Sequence, residues 1–213
     1  MATEFVKVNV DKVGGLAEKL SRLTGEVFEK ATVTALNTVI DKVYDLGRGR
    51  MNSGMDLTDQ YLKDRMLVTP AAPGRTKAEL SAASRAQGLS HYSPVQLTQA
   101  ATARAKGSAK RGIPPGQKAG GVAVTVRKGS QKPIKSSKVF LAPSIKDSEG
   151  NPFIMRRVGG RTSSGKTKMQ RVLGPAVYQL FAHQLPPLAI EAEEMLAEEL
   201  MKNAEREFLK ELT

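Results

Sequence analysis

Leu188, Ala192, Leu196, Leu200, Ala204, Phe208 and Leu212 recur at every fourth position, and that spacing leaves the last segment one regular conformation, a long helix. A row that advances four residues against a 3.6-residue period winds round the helix by about 40° per step. Met195, Met201 and Leu209 widen it. One flat sheet face does not cover such a spiral, so two neighbours are expected, one of them another subunit. Leu188, Leu196, Leu200 and Phe208 are the candidate oligomer- or partner-packing residues. Pro186-Pro187 suits a helix start, and Glu191, Glu193 and Glu194 sit in the first turns, where the macrodipole favours them.

A second stripe runs near the other end: Leu16, Leu20, Leu23, Val27 and Ala31, then Leu36, Val39, Ile40, Val43 and Leu46. It reads as a helix of about nine turns, with Asp11 as N-cap, a bend at Gly25 and an end at Gly47 and Gly49. Before it, Glu4 to Val10 alternates as a short strand able to join the main sheet. Asn52-Ser53-Gly54 reads as a turn. Asp56 or Thr58 caps a short helix to about Met66, with Tyr61, Leu62 and Met66 inward. Thr69 to Gly74, with two prolines, breaks the chain. Lys77 to Ser84 suits either a helix or a strand, and strand is preferred.

Between residues 122 and 181 the pattern changes to a period of two. Val122, Val124 and Val126 alternate with Ala123, Thr125 and Arg127, as on a strand with one buried face. Lys138 to Ile145 and Pro152 to Val158 are further strands, joined by turn chemistry over residues 146–151. Lys168 to Leu173 is a weaker fourth, closed by Gly174-Pro175. The fold expected is α+β in a single domain over residues 1–213. It has a helical part at 1–70, a flexible basic arm at 99–121, a mainly antiparallel sheet core at 122–181 and a C-terminal helix at 186–213. The arm holds hardly an apolar side chain except Ile113, and reads as an extended arm or a loop ordered by a partner.

Charge is as unevenly spread as hydropathy. The chain carries +12, but residues 101–180 hold 17 Lys and Arg against Asp147 and Glu149, leaving the rest acidic. Such asymmetry favours a polyanion or an oppositely charged protein surface. The candidate phosphate-contacting residues are Lys106, Lys110, Arg111 and Lys118 in the arm, and Arg127, Lys128, Lys132, Lys135 and Lys138 around the first hairpin. Arg156, Arg157, Arg161, Lys166, Lys168 and Arg171 line the second. Cations at reachable spacing give affinity without sequence reading. Aromatics are scarce here, with Phe140 and Phe153 expected inside, so duplex backbone or an acidic protein face fits better than stacked single strands.

The motifs of chemistry are thin. Gly160 to Thr167 fits the P-loop pattern GxxxxGK[ST] letter for letter, but only six residues separate it from Gly174-Pro175. That leaves no useful length for the helix whose N-terminus must cradle phosphate, so a hairpin tip is expected. His91 and His183 lack metal-ligand spacing. Asp56 and Asp59 look like caps. No nucleophile, base and orienting group occur together, so no enzyme activity, cofactor, metal or small-molecule substrate is expected. The chain has no cysteine, which excludes disulfides and fits a reducing compartment. Without an apolar run of membrane-spanning length or a leader-like start at Met1–Val10, it is expected to be soluble and unsecreted.

An ordered series of segments resembles the minor tail protein Z family, the tail completion proteins of long-tailed bacteriophages. Glu29-Lys30-Ala31 through Ala35-Leu36-Asn37 is similar to the family's N-terminal helix, and Leu57-Thr58 to Lys63-Asp64-Arg65-Met66 to its short second helix. Val122 to Val126, a Lys-rich turn and Val139-Phe140-Leu141 resemble its central strands. Gly174-Pro175-Ala176-Val177-Tyr178 is similar to the motif before its last helix. The resemblance implies a non-enzymatic virion protein at the head-proximal end, or neck, of the tail, assembled in the host cytoplasm. It would complete the tail and support head–tail joining and placement of the DNA end. A homo-oligomeric ring, a hexamer if it follows the tail's sixfold symmetry, is implied. So are a tail terminator protein, the tape-measure protein, the head–tail connector and phage genomic DNA as partners. The alternative is a sequence-non-specific duplex nucleic-acid-binding protein that uses its basic loops.

Overall fold

Residues 2–8, 25–146 and 150–211 are described by a computed structural model, in which the chain is α+β. Leu16, Leu20, Leu23, Asp11, Val10, the centre of the 146–151 turn and Leu212 lie outside those residues. The chain divides into two compact units. A helical unit comprises Met1–Met51, Asp59–Arg85 and Ala176–Thr213; a strand unit comprises Asn52–Thr58 and Ala86–Pro175.

The helical unit holds β1 (Ala2–Val8), α1 (Gly25–Gly54, whose last residues belong to the other unit), α2 (Asp59–Lys63), β2 (Met66–Thr69), β3 (Ala78–Ala83), α3 (Val177–Ala182) and α4 (Leu185–Glu211). Strand β3 is central in the order β1-β3-β2, antiparallel to both neighbours. So Ala78–Ala83 is a strand, and β1 joins this sheet rather than the basic one. Val27, Ala31, Ala35, Leu36, Val39, Ile40 and Val43 bury one face of α1 at helical spacing, whereas Leu46, expected in that stripe, is 40% exposed.

The helix does not end at Gly47 and Gly49. A Cβ on Gly47 would lie 2.8 Å from the Phe181 ring and 3.2 Å from Leu188, so this glycine is a point of close helix approach. Asn52-Ser53-Gly54 is therefore the last turn of α1, and α2 stops at Lys63, leaving Met66 buried on β2. Ion pairs of Arg50 with Glu191 at 2.6 Å and Lys42 with Glu199 at 2.7 Å set α1 antiparallel to α4. Asn37 clamps the Pro70–Gly74 break to α1: its side chain donates to the Ala71 carbonyl at 3.1 Å and accepts from the Ala71 N–H at 2.7 Å.

Leu188, Ala192, Leu196, Leu200 and Ala204 of α4 are all buried inside this unit. The spiral is covered by the chain's own elements, α1 among them, and Leu188, Leu196 and Leu200 are not free to receive a partner. Phe208 is 48% exposed, as are Ile190 (62%) and Leu209 (63%).

The strand unit contains β4 (Gln87–Gly88), β5 (Val95–Ala100), β6 (Gln117–Arg127), β7 (Ser130–Lys135), β8 (Val139–Lys146), β9 (Pro152–Arg161), β10 (Thr167–Arg171) and β11 (Leu173–Gly174). Instead of one sheet it has the antiparallel orders β5-β6-β7 and β10-β9-β8, and the pair β11-β4. The Lys-rich turn after Val126 is the strand β7. Val122, Ala123 and Val124 are all buried, so this part of β6 is covered on both faces and not one. Gln96 ties the sheets together: its Nε2 donates to Gly121 O at 2.6 Å, and its Oε1 accepts from Leu141 N on β8 at 2.9 Å.

Candidate nucleic-acid interface

The segment expected as a flexible arm is built as a closed loop. Residues 99–100 and 117–121 belong to β5 and β6, and the backbone between them bonds to itself. Ala101 N donates to Gly116 O at 2.9 Å, Gly116 N to Ala105 O at 2.8 Å, and Ser108 and Ile113 exchange bonds at 2.7 and 3.0 Å. The fold-back depends on Gly107, whose φ is +64° and whose Cβ would lie 2.5 Å from Pro114 O. With so few apolar side chains, the loop is ordered by backbone pairing and by one anchor, Ile113, which is 6% exposed.

This loop carries Arg111 to the β8–β9 sheet. The Arg111 guanidinium lies 5.0 Å from the centroid of the Phe140 ring, and that of Arg157, from β9, lies 4.3 Å from the same centroid. Phe140 is buried, as expected, and it holds two cations no farther apart than those distances laid end to end. Each contact is worth about 0.5–1 kcal/mol at exposed sites. Two like charges at most about 9 Å apart repel by at least roughly 2 kcal/mol at an effective dielectric near 20. The ring contacts together offset no more than about that, and an anion near both cations would relieve the remainder. Arg157 also donates to Ser137 O at 3.3 Å. The two arginines, with Lys118, line a cleft of about 350 Å³ that has no carboxylate among its described lining residues.

The other candidates are more dispersed. Lys106, Lys110, Arg127, Lys128, Lys132, Lys135 and Lys138 are exposed on the loop, around the β6–β7 hairpin and just before β8. Arg156, Arg161, Lys166 and Lys168 are exposed on the β9–β10 hairpin. Arg171 is different. Its guanidinium lies 4.0 Å from the half-buried Phe153 ring, its Nε is buried, and its side chain occupies the space a Cβ on Gly88 would need. It is a packing residue inside the unit rather than a surface cation. Sequence reasoning passed over Phe140 as the platform that unites Arg111 with Arg157. Nothing in local spacing announces that contact, because it depends on how the loop closes.

The P-loop match is a hairpin tip, as expected. Thr162 N donates to Lys166 O at 2.7 Å, Gly165 N to Thr162 O at 2.9 Å, and the chain continues as β10 with no helix. Among the described residues no group of His, Asp and Glu is arranged to hold a metal, and no helix is long and apolar enough to cross a membrane.

The two units differ in how charge is compensated. In the helical unit, Arg48 pairs with Asp45 and Asp59, Lys63 with Asp59, Lys77 with Glu79, and Lys42 and Arg50 with α4. The Lys63 ammonium and the Arg48 guanidinium hold the Asp59 carboxyl below its ordinary value, and Lys42 does the same for Glu199. The strand unit holds 17 Lys and Arg against three carboxylates, Asp56, Asp147 and Glu149. Among the described residues none of these cations is paired with a carboxylate. No family model, curated protein or solved structure matches the chain.

Proposed function

We propose that this chain is a non-enzymatic structural protein of a long-tailed phage that completes the head-proximal end of the tail. In this reading it supports joining of tail to head and placement of the DNA end, as one member of a ring, with a hexamer matching the tail's symmetry. Its neighbours are the tail terminator, the tape-measure terminus, the head–tail connector and the genome itself. The proposal draws its identity from the ordered series of segments that ends in Gly174-Pro175-Ala176-Val177-Tyr178. The observation that carries it is the uncompensated strand unit, with cations spread over two hairpins and a loop. A dispersed cationic surface binds a polyanion without registering its sequence, which suits DNA that must later slide past. The apolar side chains left exposed on α4, Ile190, Phe208 and Leu209, suit contact with a neighbouring subunit in place of the buried leucines.

Reconstitution tests this reading. Tails assembled without the protein, then supplied with the purified chain, should regain the ability to join filled heads. Failure of the purified protein to associate with such tails contradicts it.

The same charge distribution favours a second reading, a free duplex-binding protein. It predicts that the isolated chain binds unrelated DNA sequences equally, with affinity falling steeply as salt rises. Salt-independent or absent DNA binding removes it.

A further inference from the structure

The cleft beside Phe140 has the make-up of a discrete site rather than a stretch of charged surface. Arg111 and Arg157 reach it from different elements, the loop and β9, and both are fixed by the same buried ring. Lys118 lines it from β6, so three cations converge. Ser108 and Ser137 also line it, and the Ser108 side chain makes no capping hydrogen bond to the turn that it precedes. Arg157 spends one donor on Ser137 O, and among the described residues neither arginine meets a carboxylate. Guanidinium forks present several parallel N–H donors to a tetrahedral oxyanion, and here two of them line one cleft with no carboxylate among its described lining residues.

We propose that this cleft is a phosphate-group binding site, taking a phosphodiester or a free phosphate between Arg111 and Arg157 with Lys118 at its rim. The chemistry comes from two sources, a nucleic-acid backbone or a small phosphate, and both present the same non-bridging oxygens. The site stands on the cleft's own residues and is independent of any place in a tail.

Calorimetric titration of the full chain at constant ionic strength tests it, first with inorganic phosphate and then with a short DNA duplex. The key comparison is Lys118→Gln, an exposed change at the rim, against Lys166→Gln at the hairpin tip outside the cleft. Lys118→Gln should weaken binding by about tenfold, the worth of one charge-assisted contact, while Lys166→Gln leaves it within about twofold. Arg157→Lys, which keeps the charge but loses the fork and the ring contact, should also weaken binding, with circular dichroism confirming the fold. Selective loss with inorganic phosphate identifies a free-phosphate site. Selective loss with the duplex alone identifies a backbone-contact site. Equal effects of Lys118→Gln and Lys166→Gln on both probes, or no saturable binding of either, overturn the proposal.

Discussion

Gly47 sits inside α1, where its missing Cβ admits the Phe181 ring and Leu188. Gly47→Ala should therefore leave the protein between unchanged and about 2 kcal/mol less stable. Helix propensity gains about 1 kcal/mol from the change, but overpacking costs about 1–3. Thermal unfolding measures the balance, and a stabilised variant would show that the ring moves aside freely. The place of Asn37 in the resemblance to a tail-completion helix marked it, but its two-way bond with the Ala71 backbone lies far off in sequence. Residues whose task is long-range contact cannot be recognised from spacing; residues that repeat, such as Leu36 and Ile40, can.

At the scale of elements, period and turn chemistry were good guides wherever one face is buried. The stripe of α1 from Val27 to Val43, the α4 row through Ala204, β8, β9 and the hairpin tip at Thr162–Lys166 all follow the sequence pattern. The loop at 101–116 and β7 did not stand out, because backbone pairing organises them and carries little compositional signature. That loop makes a testable unit. Gly107→Ala forces a Cβ against Pro114 at a positive φ, a strain of about 1–3 kcal/mol. It should raise hydrogen exchange at the Ser108 and Ile113 amides and release Arg111 from Phe140; unchanged protection would show that the closure tolerates the strain. On α4, Leu196→Ala should cost about 2–5 kcal/mol of stability. Phe208→Glu should leave stability within about 0.5 kcal/mol and weaken association with tails or with other copies. Equal stability losses from the two changes would contradict the separation of buried row and exposed end.

Over the whole molecule the division of charge was legible in the sequence, and the structure adds where the charges pair. Ion pairs gather in the helical unit, while the strand unit's cations face solvent or stack on rings. This has a consequence for pH. Asp59 and Glu199 are held below their ordinary carboxylate values, so their contribution is complete above the unfolded value and is lost as pH falls through the folded one. Stability should decline below about pH 4.5, and Lys42→Met should flatten the part due to Glu199, as followed by urea unfolding. A profile identical in the variant would show that the pair contributes nothing. The central proposal, that this is a tail-completion protein, is tested most directly by electron microscopy of tails and particles assembled without it. The account predicts tails of normal length that fail to join heads or yield non-infectious particles. Normal, infectious virions would contradict it.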